Sequence, residues 1–248
     1  MADSEDQKLD ELAKAEKNVL LDWNVGDVIL DLYEVLPVDD AGRAFHAGGF
    51  GKIYKVHHKT WNTDLAVKAP HAHAFPSEAQ KQNFISECQA WIELGFHPNI
   101  ATCYYVRELG GAPRIFAEYV PGGSLKDWIK TNKLYEDGKK VSLECILDIA
   151  IQFAWGLHYA HEKGLIHQDV KPHNVMMTNG GEVKVVDFGL ARAKPAGSMQ
   201  NDDAQQSVLV ASSAYTPAYC SPEQLSGRQL TRSTDMELGC IGTGNVFW

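Results

Sequence analysis

The chain has 248 residues, 44% of them hydrophobic and 22% charged, a globular balance that suits one large domain or two small ones. The formal net charge of −9 removes any global attraction to nucleic acid or anionic membranes, although one local cationic pocket would still suffice for an anionic ligand. Five widely spaced cysteines, Cys88, Cys103, Cys145, Cys220 and Cys240, form no C-x-x-C pair and read as reduced thiols of a cytoplasmic protein.

The opening "MADSEDQKLDELAKAEKN" is acidic and lacks an apolar core, so it is not a signal peptide. It suits either a short amphipathic helix or a disordered leader. Its small buriable area favours a weakly ordered leader, assigned to residues 1–32. Short strands come next. "GGFGKIYKV" and "DLAVKAP" flank the turn-like "KTWNTD", which predicts a hairpin. A period of two puts Ala66 and Lys68 on one face of its second strand and Leu65 and Val67 on the other. A lysine beside a small residue suits a face that receives a flat ligand.

Ser77 and Gln80 match the S-x-x-Q start of a helix. Its apolar stripe is Phe84, Cys88, Trp91 and Leu94, and Gly95 stops it. Glu87 lies on that stripe. Either it points inward and needs a partner, or it flanks the stripe and reaches water. "RIFAEYV" reads as a strand and "PGGSL" as a turn into a helix beginning near Ser124. A long helix is predicted from about Ser142 to His161, with Leu143, Ile146, Ala150, Phe153 and Leu157 on its inner side and Lys163 and Gly164 closing it. Its most apolar part, "ILDIAIQFAWGL", carries Asp148 and Gln152 and reads as too short to span a membrane. "NVMM" and "VKVV", separated by "TNGG", predict a small hairpin. Strands first and helices second indicate an α+β fold of two lobes.

The segment "LIHQDVKPHNVMM", residues 165–177, sets Asp169, Lys171 and Asn174 in a short polar run. Phosphoryl transfer needs a base to orient a hydroxyl, a cation for the moving phosphate, and oxygen ligands for magnesium. Asp169, Lys171 and Asn174 can fill those roles in turn, with Asp187 as a second metal ligand. The same residue types also serve as ordinary turn formers. Gly48, Gly49 and Gly51 in "HAGGFGKI" let a strand turn lie close over phosphates, and Lys68 comes on the next strand.

In chain order these pieces resemble the protein kinase signature. "HAGGFGKI" resembles the Gly-rich loop, with Phe50 and Ile53 beside its glycines. "LAVK" resembles the strand of the ATP-anchoring lysine, and Glu87 sits where the family has its helix glutamate, with "HPNI" after it. "FAEYVPGGSL" is similar to the hinge, "HQDVKPHN" to the catalytic loop, "DFG" at 187–189 is intact, and "SPE" at 221–223 stands for A-P-E. The resemblance spans roughly residues 33–240. It implies a two-lobed α+β fold, with an antiparallel-sheet N-lobe and hinge over 33–120 and a helical, incomplete C-lobe over 121–248. It implies the cofactors ATP and Mg, and protein substrates with Ser or Thr hydroxyls. Lys68 would hold the α- and β-phosphates and pair with Glu87. Ala66 would line the nucleotide face, Glu118 and Val120 would offer backbone groups to adenine, and Phe116 would back that pocket. Asp169 would orient the substrate hydroxyl, and Asn174 and Asp187 would bind magnesium. Lys171 two residues after the acid is typical of Ser/Thr kinases, and Thr216 matches the threonine that contacts the catalytic acid and lysine.

The sequence departs from that pattern in four places. Gln168 replaces the arginine that meets an activation-segment phosphate, which implies an enzyme not strictly dependent on that phosphorylation. His46 takes the first glycine position of the loop, after the long polar "LPVDDAGRAF". "STDMELGC" is one residue short of D-x-W-S-x-G, turning every later residue by about 100° around a helix; Asp235 there would brace the catalytic loop. The closing "IGTGNVFW" does not resemble the long apolar helix expected there. The resemblance therefore implies a C-terminally truncated lobe, an unpaired Glu223, and an apolar surface for a partner or a missing segment to cover.

The histidine pairs "HH" at 57–58 and "HAH" at 71–73 lack cysteines at zinc spacing and read as surface residues. His167 reads as orienting the catalytic loop, and the six tryptophans read as core. No nucleic-acid partner and no membrane span is expected. The leading function is a Ser/Thr protein kinase. Its rivals are a nucleotide-binding or scaffolding module without phosphotransfer, and a small-molecule kinase, which "DFG" with "SPE" after it disfavours.

Overall fold

The computed structural model of the chain describes residues 2–48, 51–71, 74–75, 77–136, 138–188, 192–193, 219–226 and 231–236. The chain divides into two units, the first Met1–Ile92 with Cys103–Tyr119, the second Glu93–Thr102 with Val120–Trp248.

The first unit is built on a seven-stranded antiparallel sheet. Its strands are β1 (Val28–Ile29), β2 (Tyr33–Leu36), β3 (Phe45–Ala47), β4 (Gly51–His58), β5 (Thr63–Pro70), β6 (Cys103–Leu109) and β7 (Ala112–Glu118). The order is β1-β2-β4-β5-β7-β6, with β3 also paired to β4. The expected β4–β5 hairpin is present, in a register that opposes Ile53 to Lys68, Tyr54 to Val67 and Val56 to Leu65. Alternation does the rest: Tyr54, Val56, Leu65 and Val67 are fully buried. They share a core with Trp23, Tyr33, Val35, Leu109 and Phe116. Helix α2 (Glu78–Leu94) starts where Ser77 Oγ accepts the Gln80 N–H at 3.3 Å and buries the predicted stripe of Phe84, Cys88, Trp91 and Leu94.

The weakly ordered leader is a correction. Residues Ala2–Lys17 form helix α1, and the segment after it belongs to the sheet's core. Gly110 N–H donates to Glu16 O at 2.8 Å, Arg107 Nε meets Glu16 Oε1 at 2.5 Å, and Arg114 Nη2 donates to Leu21 O at 2.6 Å. Trp23 is 1% exposed, lying against Tyr54 (ring centroids 5.0 Å apart) with the Arg114 guanidinium 5.1 Å from its ring centre. Arg114 is a buried cation inside a strand. The Leu21 carbonyl and the Trp23 ring face offset its desolvation, so the leader and β7 stabilise each other. His58 is also buried rather than on the surface. It stacks on Trp61 at 4.3 Å and accepts the Trp61 N–H at its Nδ1 (3.1 Å). Burial holds its imidazole below the ordinary value.

The second unit contains α3 (Leu125–Lys130), α4 (Lys139–Glu162), β8 (Leu165–Ile166), β9 (Val175–Met177), β10 (Val183–Val185), β11 (Arg192–Ala193), α5 (Pro222–Leu225) and α6 (Arg232–Met236). Ser124 and Asp127 form a reciprocal capping box at the start of α3. β9 and β10 form the expected hairpin, and β8 pairs with β11. Residues 97–102 join them: Val185 N–H donates to Asn99 O and Ala101 N–H to Val185 O, each at 2.9 Å. Gln152 on α4 accepts from Asn99 Nδ2 and from Val183 N–H. A Cβ at Gly156 would lie 2.7 Å from Asn99 O, so α4 approaches this segment as only glycine allows.

One expectation for α4 needs correction. Its buried apolar side chains include Ile149, Phe153, Leu157 and Ala160, while Leu143, placed on the inner side, is 57% exposed. Leu147, Ile151 and Trp155 continue that exposed stripe, and Trp61 is exposed as well, so not every tryptophan is core. By length and composition alone the whole helix, Lys140–Glu162, is long and apolar enough to cross a membrane, but only weakly apolar, and the expectation of no membrane span stands. A core helix meets the same test, and α4 packs on β8 and β10.

Trp23→Ala is expected to cost about 3–5 kcal/mol, read as a lower urea midpoint; an unchanged midpoint would mean that the leader adds nothing to the first unit's stability.

Candidate active site

The polar run after β8 is held by side chains from distant parts of the second unit. Asp235 on α6 is 1% exposed. Its Oδ2 accepts from His167 N–H at 2.6 Å and faces His161 Nε2 at 2.8 Å, and its Oδ1 accepts from Gln168 N–H at 2.7 Å. The bracing expected of Asp235 is therefore present, although "STDM" sits in a shortened motif; residues 237–248 lie outside the described ones. Gln168 has φ +69°, a left-handed backbone that non-glycine residues adopt only when held there. Its carbonyl accepts from Gln224 Nε2 at 2.6 Å.

His167 orients the loop as expected. Its Nδ1 accepts the Asp169 N–H at 3.3 Å, so its Nε2 carries the proton given to Val186 O at 2.9 Å. The Phe188 ring packs on it at 4.7 Å. Asp169 is buried at the head of the run. Lys171 Nζ lies 2.5 Å from its Oδ2, and Asn174 Nδ2 donates to its backbone O at 2.9 Å and its Oδ2 at 3.2 Å. With its nitrogen turned to Asp169, the Asn174 amide presents its oxygen away from that carboxylate. Val186 N–H donates to Asn174 O at 3.0 Å, which brings the next residue, Asp187, beside the loop. Asp187 has φ +73°. Asn174 and Asp187 thus offer a hard oxygen donor set that suits magnesium. His173 sits near Lys126 and Lys171; burial, then those two cations, hold its imidazole below the ordinary value.

In the first unit, Lys68 and Ala66 lie on the half-exposed face of β5, as alternation predicts. Cross-strand partners share a face, so Ile53 and Ile115 accompany Lys68, and Ala117 accompanies Ala66. Phe116 does not. It opposes Val67 and packs between Tyr33 and Tyr105, each 4.8 Å away between ring centres. The residue expected to back a nucleotide pocket is thus in the core on the opposite face, and Ala117 occupies the face assigned to it. Gly48 and Gly51 close the tip of their turn, with Gly48 N–H to Gly51 O at 2.7 Å and Gly51 N–H to Gly48 O at 3.3 Å. A Cβ at Gly51 would sit 2.1 Å from Ala69 O. Glu87 is half-buried on α2, Glu118 ends β7, and Val120 is buried in the second unit. Gly49, Phe50, His73, Gly189 and Thr216 lie outside the described residues.

Sequence reasoning missed three features. Gln224 was signalled by S-x-x-Q at 221–224, and it does close a capping box with Ser221. Ala117 had no local signal, because β7 is buried on both sides and only its register against β5 fixes the face. The His161–Asp235 contact had no local signal. Glu223, expected to be unpaired, accepts from the Ser233 hydroxyl at 3.2 Å.

The first unit thus carries a lysine on the open face of its sheet, and the second carries a loop that clusters an acid, a lysine and an asparagine. Residues 42–243 match the protein kinase domain; the chain belongs to that family and has its α+β fold. It is 33% identical over 215 residues to a probable serine/threonine-protein kinase of Streptomyces coelicolor, covering 84% of this chain and 29% of that protein. It is 32% identical over 212 residues to a probable serine/threonine-protein kinase of Clostridium acetobutylicum, covering 86% and 29%. It is 30% identical over 219 residues to the serine/threonine-protein kinase PknD of Chlamydia trachomatis, covering 80% and 23%. The chain thus spans less than a third of the length of these curated relatives.

Asp235→Ala orphans three donors, each worth about 1–3 kcal/mol if left buried and unsatisfied. The expected result is a lower melting temperature together with faster hydrogen exchange at His167 and Gln168; protected amides in the variant would contradict the bracing role.

Proposed function

We propose that the chain acts as a serine/threonine protein kinase, moving the γ-phosphoryl group of ATP to a protein hydroxyl. The observation that carries this reading is the Asp169 carboxylate fixed between Lys171 Nζ at 2.5 Å and Asn174 Nδ2 at 3.2 Å. In this reading Asp169 accepts the substrate hydroxyl proton as the oxygen attacks the γ-phosphorus and ADP leaves. Lys171 steadies Asp169 and offsets negative charge on the phosphoryl group in flight. Asn174 and Asp187 would hold magnesium, which when bound neutralises phosphate charge. Lys68 would hold the α- and β-phosphates with Glu87 as its partner. Gly48, Gly49, Phe50, Gly51 and Ile53 would cover the phosphates, and Glu118 and Val120 would offer backbone groups to adenine. Ala117, sharing its face with Ala66, would sit beside the base in the place expected of Phe116. Thr216 would contact Asp169 and Lys171. The relatives' names support the serine/threonine class, as does Lys171 two residues after the acid.

Labelled phosphate transfer to a generic basic protein tests the reading. Asp169→Asn is expected to lose about 10²-fold or more of the rate with nucleotide affinity retained; equal rates in parent and variant would overturn the assignment. Gln168 carries no charge to meet a phosphate. Joint alanine substitution of Ser207, Ser212 and Ser213 is accordingly expected to leave kcat within about twofold, whereas loss restored by acidic residues there would show dependence on phosphorylation.

A further inference from the structure

We propose that Gln224 is a positioning residue for Asp169, acting through the peptide that joins Gln168 to Asp169; the proposal rests on the kinase reading of that loop. The strained residue Gln168, at φ +69°, is held on both sides. The peptide before it gives its N–H to Asp235 Oδ1 at 2.7 Å. The peptide after it has its carbonyl on Gln224 Nε2 at 2.6 Å, and the N–H of that same peptide is Asp169's own, donated to His167 Nδ1 at 3.3 Å. Fixing both ends of this peptide plane fixes the φ of Asp169 and the direction in which its side chain leaves the backbone. Release of the carbonyl would let Gln168 relax toward the ordinary regions of backbone space and turn the carboxylate away from Lys171 and Asn174.

The carboxamide is suited to this task in a way its neighbours in size are not. Gln224 is 5% exposed. Its Oε1 accepts the Ser221 N–H at 2.9 Å, while its own N–H donates to Ser221 Oγ at 3.3 Å. One end of the side chain therefore caps α5 and the other holds the loop. Only one amide orientation satisfies an N–H on one side and a C=O on the other. An ionised carboxylate keeps the cap and loses the donor. An apolar chain of the same length loses both.

Gln224→Glu separates these functions. Where it folds, the variant is expected to keep its KM for ATP within about twofold, while kcat falls about tenfold or more. As the pH is lowered from roughly 8 to 6, the introduced carboxyl group gains a proton that it can donate to the Gln168 carbonyl, so the ratio of parent to variant kcat should shrink. His161, His167, Asp169, Lys171, Glu223 and Asp235 are common to both enzymes and cancel in that ratio. A pH-independent ratio near one overturns the proposal. Gln224→Met, which carries no charge to bury, covers the case in which the glutamate variant does not fold. It should show the same kcat loss without acid recovery, and faster hydrogen exchange over residues 165–175. If the parent itself transfers no phosphate, the kinase reading fails on its own and this exchange experiment still decides: faster exchange supports the positioning contact, and unchanged exchange overturns it.

Discussion

The second unit turns on one buried carboxylate. Asp235 gathers His161 from the end of α4 and two successive backbone amides, His167 and Gln168, from the loop after β8. These groups lie more than sixty residues from it in sequence. A charge this deeply buried is tolerable because every one of these contacts is a hydrogen bond to the charged form. It grips the backbone on the N-terminal side of Gln168, the left-handed residue that leads directly into Asp169. The reactive loop is thus shaped less by its own sequence than by the groups that grip it from behind.

The first unit obeys a different logic, in which a segment outside the matched domain completes its core. The match begins at residue 42, yet Trp23, Ile29, Tyr33 and Val35 belong to the same apolar cluster as Tyr54 and Phe116. Arg107 and Arg114, both on the β6–β7 hairpin, reach back to Glu16 and Leu21. The sheet that presents Lys68 is stiffened from its far face by residues that no nucleotide motif would single out.

What the sequence made legible depended on local signals. The β4–β5 hairpin, α2 with its Ser77 start, and the Asp169–Lys171–Asn174 run were each written within a few residues, as capping, alternation or spacing. The misreadings share a cause. In β7, residues 112–117 are buried on both faces, so alternation vanishes and only the register against β5 reveals that Phe116 points away from Lys68. In α4, Leu143, Leu147, Ile151 and Trp155 form one apolar stripe and Ile149, Phe153, Leu157 and Ala160 lie on another side. Periodicity identifies such a helix without telling which side is inward. The order of the leader comes from a partner distant in sequence, Arg114, and His58 is covered by the distant Tyr33 as well as by the nearby Trp61.

The glycines of the loop between β3 and β4 are not equivalent as reporters. Any side chain at Gly51 collides with the backbone of Ala69 and Pro70 at 2.1–2.8 Å, so a substitution there pries β4 from β5 whether or not a phosphate ever lies above it. Among the described residues a Cβ at Gly48 meets only the Gly51 carbonyl, at an ordinary 3.6 Å. An inactive Gly51 variant is therefore silent about nucleotide contact, and Gly48 is the position at which an added methyl group interrogates the ligand instead of the sheet.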